Sequence, residues 1–145
     1  MGDDQQIDTF GGSETILVVD DDATILRTIC AALQSLGYTI LQAQNGMEAM
    51  TIIRTHNGPV DLLLTDMTMP GGLDGLDIAK EVLANFPCCP VIIMSGYSKV
   101  YPDSAHPMCS NFTFLAKPFS LATMLKVIRS SINGEERADA KIAFG

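Results

Sequence analysis

Tryptophan is absent from this chain, aromatics make up only 6%, and 9 Lys and Arg stand against 17 Asp and Glu. The formal charge of −8 opposes nonspecific nucleic-acid binding, which depends on clustered cations. No apolar run approaches the ~20 residues that a bilayer-spanning helix requires, so no direct membrane contact is expected. Met1 to Gln6 is acidic and polar, unlike a secretory signal, and a cytoplasmic location is the expectation. The cysteines are Cys30, Cys88, Cys89 and Cys109, with no CxxC spacing. That pattern speaks against a metal cage or disulfide framework and for reduced thiols, with Cys30 on the core face of a helix.

What is present is a balance of 47% apolar residues over 145 positions, enough for one domain with its own core. Residues 1–13, with Asp3, Asp4 and the pair Gly11–Gly12, read as a flexible leader. Residues 133–145 read as a tail, leaving a domain over 14–132. Within it, strand and helix signals alternate. Thr15 to Val19, Tyr38 to Leu41, Val60 to Thr65, Val91 to Met94 and Phe112 to Ala116 are short β-rich apolar runs. Between them, apolar residues recur at helical spacing: Ile25, Leu26, Ile29, Cys30, Leu33 and Leu36, closed by Gly37; then Met47 to Arg54; then Leu76, Ala79, Val82 and Leu83. Leu121, Met124, Leu125, Ile128 and Ile132 mark a last helix. Asp22, Asn45 and Ser120 suit the N-caps. The stretch between the fourth and fifth strands is broken by Pro102 and Pro107 and promises a short helix or a loop.

Repeated strand-then-helix units with right-handed crossovers give an α/β fold of the flavodoxin-like, doubly wound kind. The expectation is a five-stranded parallel sheet in the order 2-1-3-4-5, with helices on both faces and ligands at the carboxyl ends of the strands. At those ends stand Asp20-Asp21-Asp22, Asp66, Ser95 and Lys117. In that order all four ends are contiguous. Crowded carboxylates repel, and a divalent cation relieves the repulsion; Mg²⁺ favours a few carboxylates together with phosphate oxygens. Ser95 and Lys117 could bind phosphoryl oxygens, and one carboxylate could serve as nucleophile, forming an acyl phosphate.

Four motifs carry a family likeness: Leu17-Val18-Val19-Asp20-Asp21, Leu64-Thr65-Asp66-Met67-Thr68-Met69-Pro70, Ile92-Ile93-Met94-Ser95-Gly96 and Lys117-Pro118-Phe119. Over about Glu14 to Ile132 the sequence resembles the response-regulator receiver domains of the CheY-like superfamily. The resemblance implies that Asp66 accepts a phosphoryl group from a histidine kinase or a histidine phosphotransfer protein. It implies Mg²⁺ held by Asp21, Asp20, Asp66 and the Thr68 backbone carbonyl, with Asp20 acting through water. Lys117 pairs with the phosphate, Ser95 and Phe114 form the switch, and Lys117-Pro118 is cis. A downstream protein partner would bind across residues 97–132. Such a domain is a phosphorelay switch rather than an enzyme, catalysing only its own phosphorylation and dephosphorylation.

Gly71-Gly72 makes the loop after Asp66 one residue longer than the commonest form, which is similar to receivers within hybrid histidine kinases. Asp22 is read as a helix cap, and His56 and His106 as surface residues. Two other readings compete. Val19-Asp20-Asp21-Asp22-Ala23-Thr24 also fits the DxDxT motif of haloacid-dehalogenase-like phosphatases, with Asp20 as nucleophile and Asp22 as general acid; no acidic pair after Lys117 completes that family's metal site. The other is a receiver fold that binds a partner without ever being phosphorylated, against which the intact Asp20, Asp21, Asp66, Ser95 and Lys117 speak.

Overall fold

The computed structural model describes residues 11–96 and 112–134, and the backbone of 142–144. Strands β1 (Thr15–Val19), β2 (Thr39–Ala43), β3 (Leu62–Asp66), β4 (Val91–Ser95) and β5 (Phe112–Ala116) alternate with helices α1 (Ala23–Ser35), α2 (Gly46–Thr55), α3 (Gly75–Asn85) and α4 (Leu121–Asn133). The strands pair in parallel in the order β2-β1-β3-β4-β5, the doubly wound arrangement that the sequence pattern implies.

The side-chain period of two in a strand sends neighbouring residues to opposite faces. Ile16 and Val18 of β1 therefore join Leu62, Leu64, Ile92 and Met94 under α1 and α4. Leu17 and Val19 join Leu63, Val91 and Ile93 under α2 and α3. Both faces are covered, so β3 and β4 are buried along their whole length and read as apolar runs up to their polar carboxyl ends. Cys30 lies in the first of these layers.

Each helix starts where its cap dictates. The Asp22 carboxylate accepts from the amides of Thr24 and Ile25 at 2.9 and 3.2 Å. Asn45 and Ser120 cap α2 and α4. Asp74 and Asp77 bond each other's amides reciprocally at the start of α3, at 3.0 and 2.9 Å, a capping box. At the amino end of the sheet, Arg129 of α4 donates to both carboxylate oxygens of Glu14 at 3.1 and 3.0 Å, to the Tyr38 hydroxyl at 3.1 Å and to the Gly11 carbonyl at 3.2 Å. It thereby ties the chain before β1 to the last helix.

The stretch 133–145, read as a tail, contributes structure of its own. Residues Ile142–Phe144 form a sixth strand, β6, parallel to β5, with Ile142 opposite Phe114. Helix α4 lies on the same face as α1, yet it links strands running the other way across the sheet. The β5–α4–β6 crossover thus has the opposite hand to β1–α1–β2, a rare solution for parallel strands. Three residues are too few to show a strand period, which is why the pattern in the sequence missed it. The proline-broken segment, with Tyr97, His106 and Cys109, lies outside the described residues. His56 is half-buried rather than exposed and closes α2, its amide donating to the Ile52 carbonyl at 2.8 Å. The Lys117–Pro118 bond is cis.

Candidate functional site

The carboxyl ends of β1, β3, β4 and β5 stand side by side, and the polar residues there converge as the strand order requires. Asp20 follows β1, Asp66 is the last residue of β3, Ser95 is the last residue of β4 and Lys117 follows β5. Asp20, Asp21 and Asp66 each place a carboxylate oxygen within 4.8 Å of the others. The Lys117 ammonium lies 3.3 Å from Oδ2 of Asp20 and 3.3 Å from Oδ1 of Asp66. Asp20 is fully buried, and its Oδ1 accepts the Asp22 amide at 2.9 Å. Asp21 is exposed.

The electrostatics follow from burial. Removal from water pushes the Asp66 carboxyl up to about 6; the Lys117 charge pulls against this, while Asp20 and Asp21 push it further up. Burial alone would lower the Lys117 pKa, but Asp66 and Asp20 outweigh it and hold the ammonium above its ordinary value. Three carboxylates against one ammonium leave an excess of negative charge. Close oxygens with excess charge are what a hard divalent cation requires, so the donor set fits Mg²⁺.

Ser95 is buried, and its carbonyl accepts the Lys117 amide at 2.8 Å, joining the ends of β4 and β5. Thr68 lies in the loop after β3 with its side chain exposed. Phe114 is buried in the α2–α3 layer, edge-to-face with Phe112 at 6.3 Å. Asp22 points its carboxylate into the first turn of α1. An apolar groove of about 380 Å³, lined by Ile25, Ile29, Pro118, Phe119 and Leu121 together with Lys117, runs beside the cluster between α1 and the start of α4. Sequence reasoning passed over Thr65 and Gly75, which contact the Asp66 backbone. The signals were a lone hydroxyl in a leucine-rich buried strand and a glycine in a first helical turn.

Residues 16–129 match the family model of the response regulator receiver domain. The chain belongs to the response regulator receiver family. It is 33% identical over 127 residues to the sensor kinase CckA of Brucella abortus, covering 88% of this chain and 13% of that protein. It is 31% identical over 118 residues to the DNA-binding transcriptional regulator NtrC of Escherichia coli, covering 81% of this chain and 24% of that protein. The receiver thus spans only a small part of these curated relatives. Among solved structures it resembles a response regulator receiver domain protein from Clostridium thermocellum, with TM-score 0.72, 31% identity and coverage of 84% of this chain and 96% of that one. It also resembles the receiver domain of the hybrid histidine kinase CckA, with TM-score 0.69, 30% identity and coverage of 81% and 98%. This is a receiver domain of two-component signalling, a phosphoacceptor switch. No helix among the described residues is long and apolar enough to cross a membrane.

Proposed function

We propose that Asp66 is the phosphoacceptor and that its donor is a phosphohistidine on a histidine kinase or a histidine phosphotransfer protein. One observation carries this reading: Asp66 presents a buried carboxylate to Asp20, Asp21 and Lys117 at the edge where the four strand ends meet. A carboxylate oxygen of Asp66 attacks phosphorus, the phosphorus–nitrogen bond breaks, and its electron pair leaves with the imidazole. Asp20, Asp21, Asp66 and the Thr68 carbonyl would hold Mg²⁺, which when bound neutralises charge on the phosphoryl oxygens. Lys117 leaves its pairing with the bare carboxylate to bind a phosphoryl oxygen. The Ser95 hydroxyl donates to another, and Phe114 follows, biasing a two-state equilibrium.

The domain proper is 14–132, between a leader and the C-terminal segment, and it acts in the cytoplasm on a protein partner reached through residues 97–132. The apolar groove flanked by Lys117 gives a donor protein a docking surface beside the site. Hydrolysis of the acyl phosphate resets the switch, at a rate tuned by Thr68 and Tyr97.

Two observations disfavour the phosphatase reading. The Asp22 carboxylate is engaged as a helix cap, and Asp20 is fully buried and bonded to the Asp22 amide. Intact-mass spectrometry after incubation with Mg²⁺ and a small acyl phosphate tests the proposal. We expect an alkali-labile gain of one phosphoryl group, lost in Asp66→Asn. Absence of that gain, from the small donor and from a panel of phosphorylated histidine kinases alike, would leave the domain a binding module.

A further inference from the structure

We infer that Thr65 and Gly75 are positioning residues that lock the backbone on which the phosphoacceptor sits; the inference rests on the reading of Asp66 given above. Asp66 is the last residue of β3 and pairs there with Met94 of β4. Three contacts hold the chain at and just beyond this pair. The Thr65 hydroxyl donates to the Asp66 carbonyl at 3.0 Å. The Met67 amide donates to the Met94 carbonyl at 2.8 Å. The Gly75 amide donates to the Met67 carbonyl at 2.8 Å. The peptide between Asp66 and Met67 is therefore held from β3 itself and from β4, and the peptide between Met67 and Thr68 from the first turn of α3.

Gly75 also sets how closely α3 approaches. A Cβ at this position would lie 2.6 Å from the Asp66 carbonyl oxygen and 3.2 Å from Cα of Met67. Both are backbone atoms, with no flexible end to swing aside. The third near atom is Cγ2 of Thr65, at 3.3 Å, so the two residues pack as one unit. Thr65 is fully buried between three leucines and Asp66 in β3. A buried hydroxyl in such a setting is disfavoured unless it is bonded, and its bond goes to the peptide of the proposed nucleophile. The same short turn leads to Thr68, so one clamp sets the position of the attacking carboxylate and of the carbonyl proposed as a cation ligand. Catalytic groups must be held within a fraction of an ångström for full effect.

The test uses Thr65→Val, which keeps the shape and the β propensity but removes the hydroxyl, Thr65→Ser, which restores the donor, and Gly75→Ala. Intact mass gives the initial rate of phosphorylation at varied donor concentration, and calorimetry gives the Mg²⁺ dissociation constant without any donor. We expect Thr65→Val to lower the maximal rate about tenfold with the donor concentration at half-rate unchanged, and Thr65→Ser to recover most of it. Gly75→Ala should weaken Mg²⁺ binding about tenfold, because the turn bearing Thr68 is displaced. A folded Thr65→Val with the parent rate, or a Thr65→Ser as slow as Thr65→Val, overturns the inference. If Gly75→Ala does not fold, the Thr65 pair decides. A parent chain that takes no phosphoryl group from any donor defeats the phosphoacceptor reading instead, and Gly75→Ala binding Mg²⁺ like the parent would then defeat the clamp separately.

Discussion

The ammonium of Lys117 lies 3.3 Å from the carboxylate of Asp66, and Asp66 nevertheless holds its proton up to about 6, because burial outweighs that attraction. Its folded pKa lies above the ordinary value of 3.8, so folding is linked to protonation of this group. Below about pH 4 the group costs the fold nothing; between about pH 4 and 6 the cost of a buried charge accumulates, and above that it is constant. We expect Asp66→Asn to be more stable than the parent by about 1–3 kcal/mol at pH 7.5, with the gain vanishing below pH 4. Urea melts across this range check it. A difference independent of pH would show that the carboxyl is not perturbed by burial.

Mg²⁺ must compete with the same proton. With Asp66 titrating at about 6, binding should weaken about tenfold between pH 7.5 and pH 5 and release a proton at the lower end. Calorimetry in two buffers of different ionisation enthalpy measures both quantities. Asp21→Asn should bind less well at both pH values and still weaken on acidification, since the slope belongs mainly to Asp66, whose largest cause of shift is burial.

Asp22 separates the receiver from its rival chemically. Its carboxylate caps α1 through the Thr24 and Ile25 amides. Asp22→Ala should cost about 1 kcal/mol of stability and leave phosphorylation of Asp66 unchanged. Loss of phosphate chemistry in folded Asp22→Ala would return the general-acid reading to contention.

Arg129 makes a multiple tie at the opposite end of the sheet. It holds the Glu14 carboxyl below its ordinary range through a paired hydrogen bond. Both side chains are mostly buried, at 20% and 26% exposure, so solvent screens the pair only in part. Arg129→Ala should destabilise the domain by about 1–2 kcal/mol, seen as a lower melting temperature. Because Glu14 gains stability only while ionised, the loss should shrink below pH 4 as its carboxyl protonates.

Much of this architecture was legible along the chain. Five apolar runs of strand length, separated by helical periodicity, admit few arrangements once crossovers are right-handed, and Asp20, Asp66, Ser95 and Lys117 each terminate such a run. β6 was not legible, because three residues carry no period. Neither was the Asp74–Asp77 capping box, since two aspartates in a glycine-rich loop read equally well as turn formers.

Asp20 and Asp21 mark where the sequence stops informing. They are identical in type and adjacent, and local pattern placed both at the mouth of the sheet. Only the tertiary structure buries Asp20 completely and leaves Asp21 open to water. Likewise the closeness of Gly75 to the Asp66 carbonyl exists because α3 starts over the end of β3, and the Lys117–Asp20 contact spans 97 residues. Side-chain type and spacing are local properties, so the chain alone determined which groups meet. Burial, distance and pKa sum over atoms from separate elements, so the fold decided how each of those groups is buried, paired and charged.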